Sequence, residues 1–240
     1  MENINNLIDK IYNMDCLDFM KSMPEKSIDL ILCDPPYGIN YLSNWTNNHA
    51  KIKNDGLEDW QDLMKKFLPE ARRILTDTGC CCCCCGGGKT PVTALFTIEA
   101  IKHFYLIQML VWKKFIGLGW RYRPAYENIV VLSKSKDDYN FFDTSKSCSN
   151  VLEGINQDIP NSEEHPTQKP VSLMERLIKI HSQKGMIVFD PFLGSGTTAV
   201  ACIELGRHYI GCELDKGYFR LSEERIAKAK SRPQFEFEGD

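Results

Sequence analysis

Three apolar runs in this chain each stop at an acid. Ile28-Asp29-Leu30-Ile31-Leu32-Cys33 stops at Asp34, Met186-Ile187-Val188-Phe189 at Asp190, and Tyr209-Ile210-Gly211-Cys212 at Glu213. Short continuous apolar runs read as strands buried on both faces. The segments between them carry a helical period. Ile11 and Tyr12 predict a short strand, Asp15 a turn, and Leu17, Met20 and Met23 one face of a helix that Pro24 ends. Trp60, Leu63, Met64, Phe67, Leu68, Ala71, Ile74 and Leu75 predict a helix from Leu57 to Leu75, with Pro69 implying a kink or a restart. Cys80 to Cys85 reads as a strand, Pro91 as a helix start continued from Ala94 to His103, and Phe104–Trp112 and Asn128–Leu132 as further strands. His165 to Pro170 opens a helix running to His181, a glycine loop feeds another to Leu205, and Asp215 caps a last one to Lys230, before a frayed tail.

Strands alternating with helices predict an α/β protein with a largely parallel sheet, read as one domain over residues 1–240. Two stretches lack a period. Residues 38–56 are polar and Asn-rich, which suits a functional or mobile loop. Residues 134–164 read as an inserted or mobile segment.

Composition narrows the classes. A hydrophobic content of 43% and a charged content of 25% are those of an ordinary globular protein. The net charge of −3 gives no global nucleic-acid signature, so any such contact must come from a local patch. No run reaches the roughly 20 apolar residues of a membrane span. The start, Met1-Glu2-Asn3-Ile4, lacks the basic and apolar parts of a signal peptide, so a cytosolic location is expected. Six of the eleven cysteines are consecutive, and neither Cys-x-x-Cys pairs nor a nearby His gives zinc spacing. They read as small hydrophobes filling a tight central strand, with no metal expected.

Chemistry concentrates at strand ends. Asp34-Pro35-Pro36-Tyr37 puts a carboxylate, a rigid backbone with free carbonyls and an aromatic ring where a strand must leave its sheet, because proline cannot continue the ladder. Ligands of open α/β sheets bind at that end. Gly194-x-Gly196-x-x-Ala199 lies between a strand and a helix, with Glu213 closing the next strand, which is the layout for a nucleoside cofactor. The spacing alone does not separate a dinucleotide from S-adenosylmethionine. Too little chain follows Glu213 for a second dinucleotide half, so the N-terminal strands must lie beside the cofactor strands. Asp34 and the glycine loop then share one crevice. Gly88-Lys89-Thr90 imitates the end of a phosphate loop, but Cys83 stands where its first glycine belongs, which argues against an NTPase. From residue 102 to 136, Lys102, Lys113, Lys114, Arg121, Arg123, Lys134 and Lys136 outnumber Glu127 and interleave with Trp112, Phe115, Trp120, Tyr122 and Tyr126. That suits a solvated basic face or a nucleic-acid backbone with an unstacked base. A nicotinamide enzyme would leave Asp34-Pro35-Pro36-Tyr37 unexplained, and a plain nucleic-acid-binding module would leave the glycine loop and Glu213 idle.

With both stretches in hand, the chain resembles the S-adenosylmethionine-dependent DNA amino-methyltransferases, which methylate adenine N6 or cytosine N4. The order D-P-P-Y, variable region, H-P-T-Q-K-P, F-L-G-S-G-T-T resembles their permuted β group, and the likeness runs from Ile11 to Arg225. It implies a Rossmann-like methyltransferase fold, a mostly parallel twisted sheet with helices on both faces. By resemblance, Gly194, Ser195, Gly196 and Thr197 with Asp190 and Phe192 hold the methionine part of S-adenosylmethionine, and Glu213 takes its ribose. Asp15, with Cys16 beside it, reads its adenine, and Thr167 and Lys169 meet its carboxylate. Asp34 borders cofactor and base, forming with Pro35, Pro36 and Tyr37 the catalytic set for a base flipped from double-stranded DNA. D-P-P-Y favours adenine N6 over cytosine N4. The resemblance also makes 134–164 a short target-recognition insertion and places the protein in bacterial or phage-encoded cytoplasmic methylation. It is compatible with a homodimer and with an associated restriction endonuclease.

Overall fold

The computed structural model describes residues 2–36, 56–86, 91–115, 122–155 and 168–232. Among them one sheet has the strand order β1-β8-β7-β2-β3-β5-β4-β6. These are β1 (Lys10–Tyr12), β2 (Ile28–Cys33), β3 (Leu75–Cys85), β4 (Tyr105–Lys113), β5 (Tyr126–Ser133), β6 (Val151–Leu152), β7 (Ile187–Asp190) and β8 (His208–Cys212). Only β5 runs against the rest: it is antiparallel to both β3 and β4, and every other neighbouring pair is parallel. The reversal follows from the connection. Lys114 N–H bonds Ala125 O at 2.8 Å where β4 ends and β5 begins, so the chain returns along its own neighbour as a hairpin arm does.

The helices are α1 (Cys16–Ser22), α2 (Leu57–Ile74), α3 (Val92–Ala100), α4 (Val171–His181), α5 (Thr197–Leu205) and α6 (Lys216–Lys230). They cover both faces. Ile31, Cys33, Cys81, Cys83 and Cys85 pack with α1, α2 and α3, while Leu30, Leu32, Cys80, Cys82 and Cys84 pack with α4, α5 and α6. The two-residue side-chain period of a strand thus splits the cysteine run into two rows of three, all buried. All eleven thiols are free, and burial pushes those of Cys82 and Cys84 well above the usual thiol range, so they act as apolar filling.

Predicted and observed elements differ mainly at their ends. α2 runs through Pro69 as one helix without a restart. α3 stops at Ala100 rather than His103, and α4 begins at Val171 rather than at His165. Pro170 occupies the cap of α4 in an extended conformation, and the residue before a proline is itself held away from the helical region. β8 ends at Cys212, which leaves Glu213 just past the strand. The described part of the 134–164 segment is laced onto the body. Asn140 is buried, with its N–H bonded to Thr78 O at 2.8 Å and its carbonyl 2.9 Å from His181 Nδ1, and β6 adds to the edge of β4.

A candidate active site at the carboxyl edge of the sheet

β2 and β7 lie side by side in parallel register, Ile31 opposite Phe189. From this pair the chain crosses over in opposite directions, β2 to β3 and β7 to β8, which makes their carboxyl ends a topological switch point. Asp34 and the loop from Pro191 to Gly196 leave the sheet there together. Asp34 and the glycine loop therefore border the crevice that such a switch point opens.

On one side of the crevice the loop is set by its backbone. Asp190 is buried and accepts from Phe192 N–H at 3.0 Å, which turns the chain out of β7. Burial pushes the Asp190 carboxyl up to about 8, against hydrogen bonds from Thr198 and Phe192 that oppose the rise. Phe192 packs on Phe67, with centroids 5.6 Å apart. Gly196 caps α5 at φ 81°, and a Cβ there would meet Ser222 Cβ at 3.0 Å, so both conformation and packing call for glycine. Glu213 bridges the loop to the next helix: Oε2 accepts from Gly194 N–H at 2.8 Å and Oε1 from Asp215 N–H at 2.7 Å. Burial raises its pKa, and those two amides oppose the rise. Arg225, on α6, donates from Nη1 to Ser195 O at 2.7 Å, Ser195 Oγ at 2.6 Å and Thr197 Oγ1 at 3.2 Å.

Asp15 sits beyond β1, whose neighbour is β8; Glu213 N–H bonds Tyr12 O at 3.0 Å, so the two acids share this edge. Asp15 caps α1, its Oδ1 accepting from Leu17 N–H at 2.8 Å and Asp18 N–H at 3.4 Å, with Cys16 buried behind it.

The other side of the crevice is a row of charges. Lys169 Nζ lies 2.5 Å from Asp34 Oδ2 and 3.5 Å from Glu127 Oε2, and Lys114 Nζ lies 2.5 Å from Glu127 Oε1. Lys169 is only 6% exposed. Burial alone would lower its pKa, but the Asp34 and Glu127 carboxylates outweigh that and hold it above the usual lysine range. Burial likewise pushes Glu127 up, and the charges of Lys169 and Lys114 overcome it and leave Glu127 below the usual carboxylate range. The row Asp34, Lys169, Glu127, Lys114 alternates in sign and sums to zero, which is what makes its burial tolerable.

Sequence reasoning placed Lys169 at a cofactor carboxylate; here its ammonium sits on the protein's own Asp34 and beside Glu127. Glu127 and Arg225 were not picked out as site residues. The basic stretch does not form one face. Lys102 pairs with Glu99, Lys134 binds Leu75 O at the opposite edge of the sheet, Lys114 is half-buried in the charge row, and Trp112 is core. Lys113 pairs with Glu153 and Lys136 is exposed past β5, while Phe115, Tyr122, Arg123 and Tyr126 flank the ends of β4 and β5, the three aromatics exposed. Tyr37, Thr167, Trp120, Arg121, the Gly88-Lys89-Thr90 tripeptide and nearly all of the 38–56 loop lie outside the described residues.

The residues present suit a nucleoside-bearing cofactor. The first turn of α5 has no side-chain cap, and beside it lie a glycine-lined loop and a carboxylate at the end of the next strand. A family model described as DNA methylase, covering N6 and N4 methylation, matches residues 28–224. The chain belongs to this family. It is similar to the type II methyltransferase M.HinfI of Haemophilus influenzae, 29% identical over 97% of this chain and 72% of the relative. It is similar also to the DNA adenine methyltransferase YhdJ of Escherichia coli, 27% identical over 92% of this chain and 87% of that one. Among solved structures, the cytosine-N4-specific PvuII DNA methyltransferase matches with a TM-score of 0.76 at 20% identity, covering 92% of this chain and 89% of that one. The complex of M1.HpyAVI with S-adenosylmethionine matches with a TM-score of 0.66 at 24% identity, covering 90% and 98%. These structural likenesses carry the fold: a Rossmann-like methyltransferase sheet.

Proposed function

We propose that this DNA methylase transfers a methyl group from S-adenosylmethionine to the exocyclic N6 of an adenine flipped out of double-stranded DNA. The observation that carries the reading is the placement of Asp34 at the switch point, at the end of the strand beside the one that feeds the glycine loop held by Glu213. The Asp34-Pro35-Pro36-Tyr37 form of the motif and the name of the Escherichia coli relative support adenine.

S-adenosylmethionine, when bound, supplies an electrophilic methyl group. Gly194 to Thr197, Asp190 and Phe192 would hold its methionine part, Glu213 its ribose, Asp15 and Cys16 its adenine end, and Thr167 and Lys169 its carboxylate. Glu213 keeps capacity for this role, since a carboxylate accepts up to about four hydrogen bonds and the amides of Gly194, Asp215 and Leu214 take at most three. The amino nitrogen of a nucleobase is a poor nucleophile because its lone pair is conjugated with the ring. Accepting its two N–H groups at the Asp34 carboxylate and the Pro35 carbonyl draws the nitrogen toward tetrahedral geometry and frees that lone pair. Pro36 stiffens the backbone that presents them, and Tyr37 stacks on the base. No covalent enzyme intermediate is needed, so the cysteines stay structural.

Lys113, Phe115, Tyr122, Arg123 and Tyr126, together with the 38–56 loop and the end of the 134–164 segment, would face the duplex. The type II name of the Haemophilus influenzae relative supports a restriction–modification setting with a partner endonuclease in a bacterial cytoplasm, while a homodimer rests on family likeness alone. The test is to incubate the protein with methyl-labelled S-adenosylmethionine and unmethylated duplex DNA, digest the DNA and identify the labelled nucleoside. The expected product is N6-methyladenine. Label in N4-methylcytosine overturns the choice of base, and no label in any duplex offered overturns the reading.

A further inference from the structure

The charge row contains an acceptor that the resting arrangement does not use. Glu127 Oε2 is buried and has no hydrogen-bond partner, yet it lies 3.5 Å from the Lys169 ammonium. Its sister oxygen is fixed by Lys114, which β4 and β5 hold through Lys114 N–H to Ala125 O at 2.8 Å, and whose ammonium lies 5.1 Å from the Trp112 ring centroid. The carboxylate is thus anchored at one end and open at the other, aimed at a buried cation. A shift of the Lys169 ammonium by under about 1 Å would complete a hydrogen bond to it.

We propose that Glu127 is a positioning residue that gives Lys169 a second anionic seat, so that the ammonium can leave the Asp34 carboxylate when the amino group of the base arrives. The inference rests on the function proposed above. Asp34 must accept from the base, and an ammonium 2.5 Å from Oδ2 competes for that role. Moving a buried ammonium away from a carboxylate is costly unless another carboxylate stands close by. With Glu127 beside it, the ammonium stays paired in both positions and no net charge moves into or out of the site. Lys114 keeps the second seat in place while the first is used. Glu127 itself touches neither base nor cofactor in this scheme.

Two measurements test this on the full-length protein. In the first, the lysine ammonium groups are observed by nitrogen-15 NMR, the Lys169 signal being assigned by its loss in Lys169→Met. A protected Lys169 signal is expected to persist in Asp34→Asn, shifted because the ammonium has moved to Glu127, and to shift again and exchange faster with water in Asp34→Asn/Glu127→Gln. Its loss in Asp34→Asn alone overturns the two-seat arrangement. In the second, Glu127→Gln is expected to slow single-turnover methyl transfer by about 30-fold, the size of one charged hydrogen bond, while cofactor affinity stays within about threefold. Glu127→Asp is expected to recover most of that loss. An unchanged transfer rate in Glu127→Gln, or a loss wholly accounted for by weaker cofactor binding, overturns the role in the reaction. The NMR reading needs no turnover. A native protein that transfers no methyl group but shows the expected signals therefore refutes the proposed function and not the second seat.

Discussion

The two sides of the crevice are built in different ways. The loop beyond β7 is a backbone structure, shaped by glycine conformation and by amides that end on Asp190 and Glu213 within a span of about twenty residues. The charge row is a side-chain structure. Its members come from the end of β2, the start of β5, the entry to α4 and the end of β4, and Asp34 and Lys169 are 135 positions apart. A loop held by its own backbone is fixed before any ligand arrives, which suits cofactor binding. A row of neutralising charges has more than one low-energy pairing, which suits a group that must change partners during a reaction. Damage on the first side should appear in binding, and damage on the second in turnover.

The largest expected effect follows from that division. Asp34→Ala removes the carboxylate that would accept from the base, and should lower single-turnover methyl transfer by at least about a thousandfold. Cofactor binding, followed by titration calorimetry, should survive within about tenfold, because the loop and Glu213 are untouched and Lys169 keeps Glu127 as a partner. Near-normal turnover in that protein would remove Asp34 from the chemistry and erase the contrast between the two sides.

A smaller effect is expected on the loop side. Arg225→Met keeps much of the packing of the side-chain stem but deletes three hydrogen bonds to Ser195 and Thr197. Losing charge-assisted bonds to the loop should raise the cofactor KM by about tenfold and leave kcat within about twofold. A change confined to kcat would mean that Arg225 serves the reacting groups rather than the loop.

This difference in construction also decides what could be read in advance. Gly194, Gly196 and Glu213 were legible because a strand, a turn that tolerates positive φ and a following strand must recur at short spacing whenever a loop of this kind is made. Asp15 and Asp215 were legible as turn and cap because capping is local, and both cap their helices. The end of β2 was legible from two prolines. Glu127 was not, since one acid among seven basic residues is counted as a minority and gives no sign of being carried into the interior by β5. Arg225 looked like any other charge on the last helix. The antiparallel course of β5 was equally silent: its apolar residues have the same pattern in either direction. The pairing of Lys169 with Asp34 and Glu127 was not legible either, since a motif identifies a residue without showing which protein anions lie beside it.

The smallest effect separates the two sides by pH. Burial raises the Asp190 carboxyl to about 8, whereas the unfolded chain titrates near 3.9. The folded state therefore holds a proton that the unfolded state releases between these values. The associated stability is fully present below about pH 4 and is lost as pH rises toward 8. Glu127 and Lys169 respond outside this window. Glu127 is depressed, so its contribution is present above the unfolded value and lost only as pH falls below it. Lys169 is raised, so its contribution is lost only at strongly alkaline pH. Asp190→Asn keeps an oxygen for Phe192 N–H and cannot titrate. Its melting temperature should fall less between pH 5 and pH 8 than that of the native protein, by about 5 °C. All other groups are common to both proteins, so the difference between the two curves isolates Asp190. Parallel curves would mean that Asp190 is ionised in the fold, and the loop side would then bury a charge much as the other side does.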